Sequence, residues 1–458
     1  MKWILYSLFL SAEALTLSTA FAADELPSFN SARADSSESA VGQTLEEFFT
    51  AALEYSPKIQ IAEESMKIGT SRKQAANGRL LPQVRANASI SDNRRTIVSN
   101  NQLQEFDGER YSIQLTQVLF NWQAYSARSA AYLVENQLET QYYGELSVLL
   151  TEVAEKYFDV LQASDALDSI NAELDAVNTQ LQQIESLYNR QLAQITDFYQ
   201  AQASVAAVEA EQLTLQSDLA LKQEALRSIS GIGAGELFSL SESAIIPPLE
   251  NSINYWVSQA RENNHQIVAQ EFAVQAAEKY VDESRGAYMP QVNFVIQRQD
   301  ADVGFDNIAV PRTDNTYIGI DVSIPLYAGG SNRAAVREAT SRRRIAESEL
   351  RQIELEAGER VRSAYLQVQS AQTLIAAAQK LVESTTLTST AMQRGFELGS
   401  VTSVDVLNAL RDQFRAQRDL QKARYDHVKF LLMLKREAGI LTAEDMLEVS
   451  SWLEPPSI

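Results

Sequence analysis

The stretch VRSAYLQVQSAQTLIAAAQKLV, Val361–Val382, spaces Val361, Ala364, Val368, Ala371, Ile375, Ala378 and Val382 alternately three and four residues apart. That period marks the seam of packed helices, and its small side chains let neighbouring helices approach closely. The seam lies in a tract without proline between Pro325 and Pro455, and proline is the residue that breaks helix interiors. A second such tract, Pro82 to Pro247, carries a like stripe: Leu146, Leu150, Val153, Tyr157, Val160, then Leu174, Val177, Leu181, Ile184, Tyr188. Polar Ser164 and Asn171 interrupt it. From Gln123 to Asn189 only Gly144 weakens the pattern, which allows a helix of roughly 100 Å.

Two tracts of one composition imply a duplicated unit. Leu81-Pro82-Gln83-Val84 aligns with Met289-Pro290-Gln291-Val292, and Thr196-Asp197 with Val404-Asp405, both at an offset of about 208 residues. Leu119-Phe120 against Leu326-Tyr327, and Phe158 against Tyr365, fall one residue out of step. Each copy should hold long antiparallel helices that turn at Gln191–Thr196 or Gly399–Ser403 and return over Asp197–Ser230 or Val404–Ala438. In the first copy Thr44-x-x-Glu47 reads as a capping box, followed by a helix from Pro57 to near Gly78.

Before each long helix the period falls to two. Val84, Ala86, Ala88 and Ile90 alternate with Arg85, Asn87, Ser89 and Ser91; Ile318, Ile320, Val322 and Ile324 alternate with Gly319, Asp321 and Ser323. These are two-faced strands, flanking polar loops at Asp92–Gly108 and Asp300–Asn315. Four strands cannot close a barrel, so a membrane barrel would need several chains. A sheet packed on its apolar face in water would show the same alternation.

The partition expected is a signal peptide at 1–22, a flexible segment at 23–43 and repeat 1 at 44–229, with strand pair 81–120 and helical hairpin 122–229. An equatorial linker follows at 230–250, then repeat 2 at 251–439, with strand pair 290–327 and hairpin 330–438, and a tail at 440–458. Gly231, Gly233, Gly235, Pro247 and Pro248 mark the linker, Gly439, Pro455 and Pro456 the tail, and both should lie outside the main wall. Lys2, the apolar run from Trp3 to Ala12 and Ala20-Phe21-Ala22 compose the signal, with Glu13 as an awkward charge. An N-terminal core helix is the other reading. The absence of cysteine removes disulfides and a lipid anchor on a cysteine.

A formal charge of −21 argues against binding nucleic acid or an anionic membrane surface, and it fits either plain solubility or an electronegative water-filled lumen. Catalysis lacks its parts: two histidines, His265 and His427, both expected on helix surfaces, no phosphate loop, no metal-spaced ligand set. Neither an enzyme nor a cofactor is expected.

The Leu-Pro-Gln-Val strand opening resembles the TolC family, as do Gln117-Val118-Leu119-Phe120 matched by Ile324-Pro325-Leu326-Tyr327-Ala328-Gly329-Gly330 and the turn Phe396-x-x-Gly399-x-x-x-x-x-Asp405-Val406-Leu407. The resemblance spans nearly the whole mature chain. It implies a fold that is mainly α with a β-barrel portion: a homotrimer whose twelve-stranded outer-membrane barrel stands on a helical tunnel reaching into the periplasm. Its implied partners are an inner-membrane pump and a periplasmic adaptor (membrane fusion protein), for drug efflux or type I protein secretion. A periplasmic coiled-coil scaffold or filament is the competing reading, and it has no use for two-faced strands.

The resemblance also implies a periplasmic gate. Asp405 matches a carboxylate that rings the constriction in three copies, repelling by roughly 0.7 kcal/mol per pair in a water-like medium. Asp197 is its counterpart in the first copy. As sequence alone, both are equally helix N-terminal residues favoured by the macrodipole. This chain departs from the family at the gate, with Asn408 for a second aspartate, Val401 for an arginine and Phe396 for a tyrosine. Gly399-Ser400 fits the adaptor-docking tip, whereas the first copy has Arg190-Gln191-Leu192. Gly399 would serve equally as a left-handed helix cap.

Overall fold

A computed structural model describes residues 42–241, 244, 246–302 and 312–455; the signal peptide and most of the segment at 23–43 lie outside these. The elements are α1 Leu45–Tyr55, α2 Pro57–Gly78, β1 Gln83–Ile97, β2 Gln102–Asn121, α3 Trp122–Asn189 and α4 Ile195–Ser230. After β3 Ser239–Leu240 come α5 Ile253–Asn263, α6 His265–Gly286, β4 Gln291–Asp302, β5 Thr313–Ser323, α7 Ser331–Glu397, α8 Ser403–Glu437, α9 Ala443–Ser450 and β6 Leu453–Glu454. Both bounds of α1 and of α2 recur in α5 and α6 about 208 residues later.

The wall is one helix thick. α3 lies between α2 and α6 in the half next to the sheet and between α4 and α8 in the other; α7 flanks α6, then α8. At 68 residues α3 spans about 100 Å. Its weak point, Gly144, faces α6: a Cβ there would meet His265 Cβ at 3.2 Å. The alanine seam is buried as its spacing requires, with Val361, Ala364, Val368, Ala371 and Ala378 nearly inaccessible. At the polar break in the other seam Asn171 accepts a 2.7 Å hydrogen bond from Gln212 of α4.

The return helices α4 and α8 end against the junctions between the short helices, α1 with α2 and α5 with α6. Gly231 and Gly439 both have positive φ, +77° and +73°, and a side chain at either would strike Tyr55 or Asn263, themselves repeat-equivalent positions. Only glycine enters this conformation without steric cost.

Strands β1-β2-β4-β5 form one antiparallel sheet. An apolar row crosses it, Val84 to Leu115 to Ile296 to Ile318, and the opposite face carries Asn87, Ser112, Gln299 and Asn315. A register shift between Val118 and Phe120 sets Phe120 opposite Val292 on the apolar face, where strict alternation would have turned it to the polar one. Among the described residues no helix covers the apolar face, and Ile320 is 60% exposed and Ile318 65% exposed in the single chain.

The polar loops expected at Asp92–Gly108 and Asp300–Asn315 are a correction. β1 continues to Ile97 and β2 starts at Gln102; likewise β4 reaches Asp302 and β5 starts at Thr313, with 303–311 outside the described residues. Backbone pairing sustains these polar ends, helped by cross-strand ion pairs: Arg94–Glu105 at 3.2 Å, Arg298–Asp314 at 2.8 Å. Conversely β5 stops at Ser323 rather than 327, because Pro325 has no N–H to give the ladder.

Linker and tail do not hang free. β3 pairs with β6, and Leu237, Leu240, Met446, Val449 and Leu453 join Leu45 and Phe48 of α1 in a core built on Tyr157 and Phe158 of α3. Each such ring, fully buried, contributes about 2 kcal/mol. Gln43, expected in the flexible segment, is held: its N–H donates to the Glu236 carbonyl at 2.8 Å, and its carbonyl accepts from the Tyr157 hydroxyl. The capping box at Thr44 is half formed, with Thr44 Oγ1 accepting from the Glu47 N–H.

Candidate gate and docking tips

Both long helices end in one motif. The Leu192 N–H donates to the Leu187 carbonyl and the Gln191 N–H to Tyr188; in α7 the Ser400 N–H donates to Gly395 and the Gly399 N–H to Phe396. These paired bonds are Schellman caps, which require a left-handed residue after the helix. Here Gly399 acts as such a cap.

The two tips flank one cleft of about 930 Å³. It brings together Leu192 and Asp197 of the first tip with Phe396, Gly399 and Val401 of the second. Asp405, Asn408, Arg190, Gln191 and Ser400 are exposed outside it. Asp405 and Asn408, three residues apart, share the exposed face of α8, while Val406, Leu407 and Leu410 face inward. Within the chain Asp405 closes a capping box: its carboxylate accepts from the Thr402 hydroxyl at 2.6 Å, and its N–H donates back to Thr402 Oγ1. Val401 packs on Gly395, where a Cβ would meet Val401 Cγ2 at 2.5 Å. In the first tip a stacked Tyr188–Phe198 pair, 5.7 Å between ring centres, braces the turn.

Above the tips lies a polar lock that the sequence did not reveal. Glu173 of α3, 1% exposed, accepts from Arg418 of α8 at 2.7 Å, and Arg418 also reaches Glu211 of α4. Farther up, the Tyr425 hydroxyl donates to Asp165 and Lys429 pairs with Asp159. Burial pushes the Glu173 carboxyl above its ordinary value despite Arg418, and does the same to Asp165 despite Tyr425. The only sequence signal was the neighbouring polar break at Asn171.

One histidine requires correction. His427 is buried on the inner face of α8 and is not a surface residue, whereas His265 is half-buried against Gly144 and keeps part of its surface exposed. Burial lowers both below their usual range. Among the described residues no three of His, Cys, Asp and Glu are grouped to hold a metal.

No helix among the described residues is long and apolar enough to cross a membrane. A wall of long helical hairpins bearing a sheet with a bare apolar face and open edges is the architecture of an outer-membrane export channel. The family model described as "Outer membrane efflux protein" matches twice, over residues 49–232 and 256–439. The chain therefore belongs to the outer membrane efflux protein family, and its location is the outer membrane. Outer membrane protein TolC of Vibrio cholerae is 26% identical over 94% of this chain and 98% of its own length. Alkaline protease secretion protein AprF of Pseudomonas aeruginosa is 25% identical over 86% of this chain and 84% of its own. The solved structure of CusC superposes with a TM-score of 0.76 at 18% identity, covering 87% of this chain and 92% of its own. That of Vibrio cholerae VceC gives 0.74 at 19%, covering 86% and 96%. Family and fold are those of export proteins, not of enzymes.

Proposed function

We propose that three copies stand side by side, each lending four strands to a twelve-stranded barrel and its helices to a tunnel, as a passive duct for efflux or type I secretion. The observation carrying this reading is the sheet. β1 and β5 are its outer strands, each pairing on one side only, and such edges bind other strands unless something covers them. An exposed apolar face beside them would be unstable in water and stable in lipid. Energy for transport comes from an inner-membrane pump, joined through a periplasmic adaptor docking on Gly399-Ser400 and Arg190-Gln191-Leu192. Asp405 with its copies forms the acidic ring of the gate, beside Asn408; Phe396, Val401 and Asp197 line the approach.

The chain has no cysteine, so Asn87→Cys on β1 and Asp321→Cys on β5 can be introduced singly and together. Oxidised membranes should give trimers on a denaturing gel only with both, and the protein should give conductance steps in planar bilayers. Crosslinks confined to monomers, with no conductance from intact protein, would return the scaffold reading.

A further inference from the structure

The wall and the sheet meet at one level. Asn332 of α7 donates to the Ala287 carbonyl after α6, Gln291 of β4 donates to Gln123 of α3, and Gln117 of β2 donates to the Leu80 carbonyl after α2. Within about two helical turns of that level, all four upper helices present an exposed arginine: Arg79 after α2, Arg128 on α3, Arg285 on α6, Arg333 and Arg337 on α7.

In this layer the arginines outnumber the helix carboxylates. The chain as a whole carries −21, yet α2 after Glu64, α3 before Glu135 and α7 before Glu338 contain no carboxylate. The helix acids at this level are Asp282 and Glu283 of α6 and Glu338 of α7: Asp282 pairs with Arg285 at 3.7 Å, Glu338 pairs with Arg342 at 2.6 Å, and burial raises the Glu283 carboxyl although Arg79 nearby favours its charged form. Arg128 bonds Asn77. Arg333 and Arg337 have no acidic partner among the described residues. The stability of α7 does not account for Arg333, because a cation in the first turn opposes the macrodipole.

The same layer exposes large aromatics, Trp122, Tyr288 and Tyr327 among them. Aromatic rings with arginines beside them, directly beneath a bare apolar sheet face, reproduce the chemistry of a membrane interface: rings at headgroup depth, cations on phosphates.

We infer that this layer is a collar for the anionic phospholipid headgroups of the leaflet facing the helices. The inference rests on the sheet face lying in lipid. Free phosphate is disfavoured as the occupant, because the arginines are spread over four helices around the junction rather than converging in one pocket.

The test uses the full chain in detergent, exchanged into bilayer nanodiscs of phosphatidylcholine with or without phosphatidylglycerol, and counts retained lipid by native mass spectrometry. The intact protein should retain phosphatidylglycerol over phosphatidylcholine. The quadruple variant Arg79→Gln, Arg128→Gln, Arg333→Gln, Arg337→Gln should lose that preference, by roughly fivefold per arginine removed. Equal retention of both lipids, an unaltered preference in the variant, or displacement by millimolar inorganic phosphate would each overturn the collar. Should the variant fail to fold, the intact protein decides: its preference must weaken from 50 to 500 mM salt, and salt independence refutes the collar. Incorporation into phosphatidylcholine nanodiscs without preference would leave the membrane reading standing; no incorporation at all would remove both.

Discussion

Gln191 and Gly399 stand at equivalent places in the two repeats and share a left-handed backbone, φ +62° and +73°. The repeat conserved the cap geometry, while only one copy has the residue that adopts it without strain. A left-handed non-glycine residue costs about 1–2 kcal/mol, part of which glycine's greater unfolded-state freedom offsets. Gln191→Gly should therefore slow hydrogen exchange at the Leu192 amide about fivefold, and Gly399→Ala should speed it at Ser400. No change in either would show that the tip is held by something other than its cap.

Deleting Gly399–Ser403 should abolish adaptor crosslinking while leaving trimers intact. Retained crosslinking would move docking to another part of the wall.

Under the proposed gate, replacing Asp405 would remove two things, a ring charge and a helix cap worth about 1 kcal/mol. Thr402→Ala removes only the cap. In planar bilayers Asp405→Ala should lower cation preference and Thr402→Ala should preserve it; equal loss in both would make the carboxylate a structural cap and nothing more.

Arg418 satisfies a carboxylate that is almost wholly inaccessible. Arg418→Ala leaves that charge unpaired and should cost about 3–5 kcal/mol, whereas the double change Glu173→Leu, Arg418→Met should cost much less. Denaturant unfolding of the two variants separates them. Because burial raises the Glu173 value, the folded state binds the extra proton; its contribution is complete below the ordinary carboxylate value of 4.5 and is lost as pH rises through the raised one. Glu173→Gln should flatten that decline.

His427 has the opposite sign. Burial lowers it from 6.5, so the unfolded chain takes up a proton that the folded chain refuses. Stability contributed by the neutral ring is present above 6.5 and falls away as pH drops through the lowered value. His427→Gln should reduce the drop in unfolding midpoint between about pH 7 and pH 5; an unchanged drop would assign acid sensitivity elsewhere.

What the sequence determined by itself is whatever depends on local period and local breakers: the alanine seam of α7, the two-faced strands, the helix ends at Gly231, Gly399 and Gly439, and the repeat. Those signals live within a few residues of each other. Strand length was misjudged at Asp92–Gly108 because a paired polar strand has no apolar face to betray it; its partner across the sheet supplies the stabilisation. His427 was misjudged because one residue's position on a helix says nothing about which neighbour covers it. Only the tertiary structure set Glu173 against Arg418, 245 residues away in sequence, folded the linker and tail onto Tyr157, and gathered five arginines at one level. Each depends on contacts between distant segments, whose geometry no periodicity encodes.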